Sequence, residues 1–543
     1  MTHSPVWHPF TQHGLGDPVP LVTRAEGAAL YTEDGRRIVD AISSWWVTTH
    51  GHCHPRIMQA IADQAQRLDQ MIFAGWTHQP AEDLAHELRR ILPDALTRVF
   101  FSDSGSTAVE VALKMALGYW AHRGEERSRV VVMEHSYHGD TIGAMSVGAR
   151  GVFNAAYAPM LFDVGRVPFP AGDPQATFDA LEAECARGAA AFIVEPLVLG
   201  AGGMLMYPPA VLAQMQTICG AHGTLFIADE VMTGWGRTGT LTACEQAGVV
   251  PDIMCLSKGL TGGAIPLAVT MAGEPIWEAH YSTDRTRTFY HSSSYTANPL
   301  ACAAAVANLA IWREEPVLER VAALAAREQA HLDALSGHSM VRNARRCGTI
   351  AALELGDPAG SYLSDLGPRL LRRFREADLL LRPLGNTVYV MPPYCIDDAD
   401  LARIWAEIIR QWSVLHPEFS FLPRKFKIAV TASERDRAAI QVHDIGLQLK
   451  KDGDGRFGFA VWIGGGQGRT PILAKKIRDF LPEADLLSYV TAIMRVYNMH
   501  GRRANKYKAR IKILVHETGV EQLTSEIEAE WAHLKDGELK LPQ

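Results

Sequence analysis

A chain of 543 residues, 47% hydrophobic and 21% charged, is globular in composition and long enough for about three or four ordinary domains. Its formal charge of −7 is unevenly spread: residues 421–543 carry 21 Lys and Arg against 15 Asp and Glu, a net of +6, which leaves −13 on the remainder. Such a change of sign points to two units with different partners.

The first ten residues, Met1 to Phe10, show no basic region followed by an apolar run, so no export signal is expected. The longest apolar stretch, around Leu300–Trp312, is alanine-rich, interrupted by Asn308 and too short to cross a bilayer. Eight cysteines (53, 185, 219, 244, 255, 302, 347 and 395) lie scattered without C-x-x-C spacing. That pattern reads as reduced thiols in a cytoplasmic protein, with neither a disulfide frame nor a metal site.

In chain order, residues 5–75 read as an N-terminal flap carrying Trp45 and Trp46. Between about residues 80 and 300, helical patterns alternate with short apolar runs at Arg98–Phe101, Val130–Met133, Ala191–Val194, Thr224–Ala228 and Ile253–Leu256. Strands buried on both faces read this way, so the expected fold is α/β, a mainly parallel sheet with helices on both sides. Residues 300–415 add a long helical segment and strands near Gly348–Leu355 and Thr387–Met391, which fits a small α+β subdomain.

Several chemistry-bearing residues fall at strand ends, where active sites of open α/β sheets gather. Ser104-Gly-Ser-Thr107 opens a helix, with Thr107 and Glu110 read as its capping box; this puts Gly105 and Ser106 where free N–H groups and the helix dipole suit a phosphate. Tyr137, after the Val130–Met133 run, can lay its ring against a cofactor; His138 and Gly139 shape the turn, and Asp140 can reach a substrate amine or Tyr137. Glu195, Asp229 and Lys258 each follow a run. A lysine and an aspartate at neighbouring strand ends meet the needs of pyridoxal 5'-phosphate: the amine forms the Schiff base, and the carboxylate keeps the pyridine nitrogen protonated. Ser292, Ser293 and Ser294 form a hydroxyl-rich turn that reads as a second phosphate clamp.

Together these motifs resemble the class III (subgroup II) pyridoxal-phosphate-dependent aminotransferases, over roughly residues 1–412. The general match rests on Glu195-Pro, on Ile227 to Gly239 and on Ser257 to Gly263. A narrower match rests on Trp7-His-Pro-Phe10, Asp40 to Trp46, His50-Gly-His-Cys-His-Pro55, Gly200 to Met204, Arg382-Pro-Leu-Gly385 and Met391-Pro-Pro-Tyr394. It is to the branch that aminates 8-amino-7-oxononanoate in biotin synthesis. The resemblance implies fold type I of these transferases and a homodimer with shared sites. It makes Lys258, Asp229 and Tyr137 the catalytic set and gives Gly105 and Ser106 the phosphate. Ser293 and Ser294 would serve the phosphate of the neighbouring subunit. Trp45, Trp46, Asp140 and Ser292 would line the substrate channel, and Arg382 would hold a distal carboxylate. S-adenosyl-L-methionine is the implied donor, with lysine as the alternative. Two departures stand out: Phe10 where relatives commonly have tyrosine, and Ser292-Ser-Ser294 in place of Gly-Pro-Thr.

The character changes at a joint near residues 413–424, after which about 425–543 forms a second α+β unit. Phe421 to Val430, Gly464 to Pro471 and Arg495 to Lys512 resemble an internal stretch of the sirohaem-containing nitrite and sulfite reductases, whose basic residues hold a macrocycle rich in carboxylates. Reduction there also needs four cysteine thiolates on an iron–sulfur cluster, and this unit contains no cysteine. It reads as part of such a domain, joined to an aminotransferase by fusion or by an error of gene boundary, the alternative being a fused tail with a sirohaem-linked redox or binding role. No nucleic-acid-binding fold is recognisable.

Overall fold

In the computed structural model the described residues are 4–335, 341–355, 366–415, 426–431, 436, 438–453, 455–467, 471–504 and 508–537. The expected runs are strands: Leu96–Ser102, Val130–Met133, Ala191–Val194, Leu225–Asp229 and Ile253–Leu256. Every residue of the last four is buried, which is why each reads as an unbroken apolar run. They join one seven-stranded sheet in the order Leu96–Ser102, Ala268–Gly273, Ile253–Leu256, Leu225–Asp229, Ala191–Val194, Val130–Met133, Gly165–Val167. Ala268–Gly273 runs antiparallel to both of its neighbours, and the remaining pairs are parallel.

Successive residues of one strand enter opposite cores. Phe192 and Val194 pack with helices Gln79–Ile91, Gln175–Ala186, Pro209–Ala221 and Pro299–Glu314. Ala191 and Ile193 pack with helix Gly105–Arg123 on the other face. The sheet is therefore covered on both sides, and its carboxyl edge is left to build a site.

The N-terminal segment forms an antiparallel sheet of Val22–Glu26, Ala29–Thr32 and Arg37–Asp40, extended in parallel by the distant strand Leu379–Leu380. A second small sheet joins Val341–Cys347, Ile350–Leu355 and Thr387–Val390, with helices Val317–Leu335, Leu366–Glu376 and Asp398–Leu415 beside it. Trp405 Nε1 donates to Glu328 Oε2 at 2.9 Å, tying the last of these helices to the first.

Beyond the joint, whose residues 416–425 lie outside the described ones, a four-stranded sheet runs Ile428–Thr431, Ile445–Lys451, Phe457–Ile463, Lys475–Pro482. Helices Leu486–His500, Ile511–Thr518 and Val520–Leu534 follow it. Ile445, Val461, Tyr489, Ile493 and Ile527 share a separate core there.

Candidate active site

Helix Gly105–Arg123 begins where strand Leu96–Ser102 ends, and its entrance differs from the sequence expectation. The capping box closes between Ser104 and Thr107: Thr107 N donates to Ser104 Oγ at 3.3 Å, and Ser104 N donates to Thr107 Oγ1 at 2.9 Å. Glu110 is not part of it. Its Oε1 instead accepts from Thr141 Oγ1 at 2.6 Å, Gly143 N at 2.8 Å and Ala144 N at 3.1 Å, securing the first turn of helix Ile142–Ser146. A glutamate two turns from a neighbouring helix start found better-placed donors than its own N-cap.

The cradle at this entrance is closely packed. A Cβ on Gly105 would stand 2.6 Å from Val231 Cγ1, and one on Gly139, whose φ is +132°, would stand 1.9 Å from Ser106 Oγ. Asp140 N donates to Ser106 Oγ at 3.0 Å, so the Tyr137–Asp140 turn is pinned to the helix start.

Asp229 and Lys258 arrive on adjacent parallel strands, with Asp229 in register with Cys255. Asp229, 4% exposed, places Oδ2 2.6 Å from Nδ1 of His138 and accepts from Val231 N at 3.1 Å through Oδ1. His138 is 3% exposed, and its Nε2 has no partner among the described residues. Sequence reasoning gave it only the turn; it is the aspartate's direct neighbour. Glu195 accepts from Tyr137 N at 3.0 Å and Gly200 N at 3.1 Å. Burial pushes its carboxyl up to about 7 against the pull of His138, with the Asp229 charge adding to the rise.

Lys258 holds a positive φ of 46°. Burial lowers its amine to about 8, although Asp229 and Glu195 oppose that shift; Arg237 reinforces it. Its Nζ lies 5.0 Å from the centroid of the Trp46 ring. Behind it, Asn308, fully buried, donates through Nδ2 to Gly259 O at 3.0 Å and Leu260 O at 2.9 Å, clasping the turn that follows the lysine. Read in the sequence as an interruption of an apolar helix, Asn308 is the anchor of the lysine's turn.

Trp46, Gly105, Ser106, Tyr137, Asp229 and Lys258 border one cavity of about 170 Å³. Next to it lies a second, of about 240 Å³, that shares Tyr137 and adds Asp140, Arg150 and Phe153. Burial, then the charge of Asp140, pushes the Tyr137 phenol up. Trp45, 44% exposed, sits 5.4 Å beneath the Arg382 guanidinium; Phe10 lies 5.3 Å from Trp45 ring to ring, and its carbonyl accepts from Arg382 Nη2 at 3.2 Å. Arg237, which the sequence reading left without a role, is buried and donates to Pro392 O at 3.1 Å and Thr48 O at 2.8 Å.

Ser292, Ser293 and Ser294 do not border the Lys258 cavity of their own chain. Their turn is held locally: Ser293 N donates to Thr296 Oγ1 at 2.9 Å, and Gln70 Nε2 to Ser294 O at 2.5 Å. No group of three His, Cys, Asp or Glu among the described residues is placed to hold a metal ion.

Residues 12–411 match the family described as aminotransferase class-III. The chain is 50% identical over 421 residues to the adenosylmethionine-8-amino-7-oxononanoate aminotransferase of Synechococcus elongatus, covering 75% of this chain and 98% of that one. Among solved structures it is similar to the enzyme of the same name from Methanocaldococcus jannaschii, with a TM-score of 0.72, 31% identity and 75% and 96% of the two chains covered. An amine transaminase from an uncultivated Pseudomonas species, in its PLP-bound form, gives a TM-score of 0.73 at 31% identity, over 76% of this chain and all of that one.

The protein is thus a pyridoxal-phosphate-dependent transferase of fold type I. It belongs to the class-III aminotransferases. Residues 389–535 also match the nitrite and sulphite reductase 4Fe-4S domain. The two matches overlap at residues 389–411, where Thr387–Val390 pairs with Ile350–Leu355 and Trp405 Nε1 donates to Glu328 Oε2 at 2.9 Å.

The residues fit the cofactor on their own chemistry. A glycine-lined helix entrance suits a phosphate, a buried carboxylate suits a pyridinium nitrogen, and a desolvated amine faces the same hollow.

Proposed function

We propose that the chain, as a cytoplasmic homodimer, transfers an amino group to the ketone of 8-amino-7-oxononanoate, giving 7,8-diaminononanoate by a ping-pong mechanism. S-adenosyl-L-methionine is the proposed donor, with lysine as the alternative. The names of the relatives support this substrate. The observation that carries the chemistry is the convergence of Lys258, Asp229 and the Gly105 helix entrance on one cavity.

Bound pyridoxal phosphate supplies an electron sink that lets a proton leave the substrate carbon. Lys258 Nζ would anchor the group and would be the base that takes this proton, its amine being lowered by burial to about 8. The Asp229 carboxylate, oriented by His138, would hold a proton on the ring nitrogen. Gly105 and Ser106 would give N–H groups and the helix dipole to the phosphate, and Tyr137, with Asp140 beside its hydroxyl, would lie against the ring. Ser293 and Ser294 do not border the cavity of their own chain and would serve the phosphate of a second copy, with Ser292 at the rim of that copy's channel. Trp45 and Trp46 form a channel wall, and the Arg382 fork above Trp45 would grip the acceptor's distal carboxylate in two places.

A donor assay tests this reading: the loaded enzyme is mixed in turn with S-adenosylmethionine, lysine and glutamate, and formation of diaminononanoate from 8-amino-7-oxononanoate is measured. Product with S-adenosylmethionine or lysine supports the reading. Turnover of a diamine or ω-amino acid alone would move the chain to the second reading, an ω-amino acid or diamine aminotransferase, which the likeness to the amine transaminase favours.

We infer further that the chain divides into an aminotransferase over 1–412, made of a large domain at about 60–300 and a small one from the N-terminal segment and about 301–412, then a joint at 413–424 and a reductase-like unit at 425–543. The last unit lacks the four thiolates of a cluster, so it carries no sulfite or nitrite reduction of its own. Expression in a sirohaem-producing host should give protein without a haem-like absorption band; such a band would overturn this assignment.

A further inference from the structure

The His50-Gly-His-Cys-His-Pro55 motif has no part in the site as described so far, yet His52 lies behind it. The loop that presents Trp45 and Trp46 is bent through three non-glycine residues with positive φ: Ser43 at 53°, Ser44 at 59° and Trp46 at 67°. L-residues rarely adopt this region, and it persists only where neighbours over-determine it. Here one carboxylate does much of that work. Asp40, fully buried at the end of strand Arg37–Asp40, accepts from Ser44 N at 2.7 Å through Oδ2 and from Ile42 N at 3.2 Å through Oδ1. Oδ2 also lies 2.8 Å from His52 Nε2.

Each end of the loop has a further contact: Ser43 Oγ donates to Met391 O at 2.8 Å, and Trp46 Nε1 donates to the Tyr389 hydroxyl at 2.9 Å. His52 is fixed by its own backbone, since His52 N donates to Gly27 O at 2.7 Å and Gly27 N to His52 O at 3.3 Å. The imidazole adds a third partner to a buried carboxylate that already accepts from two backbone N–H groups, completing a network that restricts its orientation further.

We propose that His52 is a positioning residue for the amino acceptor: by locking the Asp40 carboxylate it holds the strained Ser43–Trp46 loop in the shape that sets the channel wall. This rests on the assignment of Trp45 and Trp46 to the acceptor channel. His52 itself borders neither that cavity nor Lys258, and of the loop it holds only Trp46 borders the cavity, so its effect should fall mainly on acceptor binding and much less on the cofactor.

The test compares His52→Ala and His52→Gln in the holoenzyme, the glutamine amide reaching the place of Nε2 and keeping a donor for Asp40. His52→Ala should raise the KM for 8-amino-7-oxononanoate about tenfold while kcat changes less than threefold and the Kd for pyridoxal phosphate stays within twofold. His52→Gln should recover most of the lost KM. Hydrogen exchange of the 42–48 amides, read by mass spectrometry, should quicken in His52→Ala and return towards wild type in His52→Gln. An unchanged KM with unchanged exchange would overturn the proposal, as would a KM loss matched by an equal loss of cofactor affinity, or one that glutamine does not rescue. If the wild type fails to aminate this acceptor, the substrate reading fails; the exchange of 42–48 then decides by itself whether His52 holds the loop.

Discussion

Asp229 Oδ2 stands 2.6 Å from His138 Nδ1, although 91 residues separate the two in the chain. A hydrogen bond to a charged group is worth about 1.5–3 kcal/mol. His138→Ala should therefore lower kcat/KM roughly 10- to 100-fold, and His138→Asn, whose amide can occupy the place of Nδ1, should lose less. Steady-state kinetics on the two variants checks this; equal losses would show that the histidine acts only by filling space.

The lysine's depressed amine sets a pH dependence. Below about 8 the cofactor-free protein holds Lys258 mainly protonated, and an ammonium cannot attack an aldehyde. The rate of pyridoxal phosphate capture should climb about tenfold per pH unit at low pH and level off above about 8. Stopped-flow absorbance gives the profile, and a plateau delayed to the ordinary lysine value, about 10.4, would refute the desolvated amine.

The phosphate cradle predicts a steric effect. Gly139→Ala meets both a φ of +132° and a Cβ contact of 1.9 Å with Ser106 Oγ. The Kd for pyridoxal phosphate should rise about 5- to 150-fold, given about 1–3 kcal/mol of backbone strain. Gly220→Ala, on a helix with nothing within 4 Å, should leave it unchanged. Cofactor titration separates the two.

Arg382→Lys keeps the charge and loses the fork. With a planar bidentate grip replaced by a point charge, the acceptor KM should rise about tenfold, near 1.4 kcal/mol, with kcat nearly unchanged. A fall in kcat at constant KM would place the guanidinium elsewhere in the cycle.

Much of the fold was legible because its central strands are buried on both faces: Val130–Met133, Ala191–Val194 and Ile253–Leu256 carry nothing but apolar residues, and their ends mark the chemistry. Ala268–Gly273 escaped notice because its interior Thr270 breaks the run, the hydroxyl being satisfied by Ala108 O at 2.9 Å. The glutamate at 110 was assigned to the wrong helix for a related reason, since spacing proposes a partner but only tertiary neighbours decide which donors are free. His138, Arg237 and Asn308 depend on partners 91, 155 and 49 residues away, and no local pattern encodes those distances. The serine turn at 292–294 was legible as a hydroxyl-rich loop, but its distance from the Lys258 cavity of its own chain depends on tertiary placement that no local pattern encodes.

The most direct test of the central claim is chemical trapping. Borohydride added to the pyridoxal phosphate-loaded protein should fix the cofactor irreversibly, and peptide mass mapping should find it on Lys258 alone, with Lys258→Ala giving no labelled peptide and no transamination. Label on another lysine, or transamination that persists in Lys258→Ala, would contradict the account.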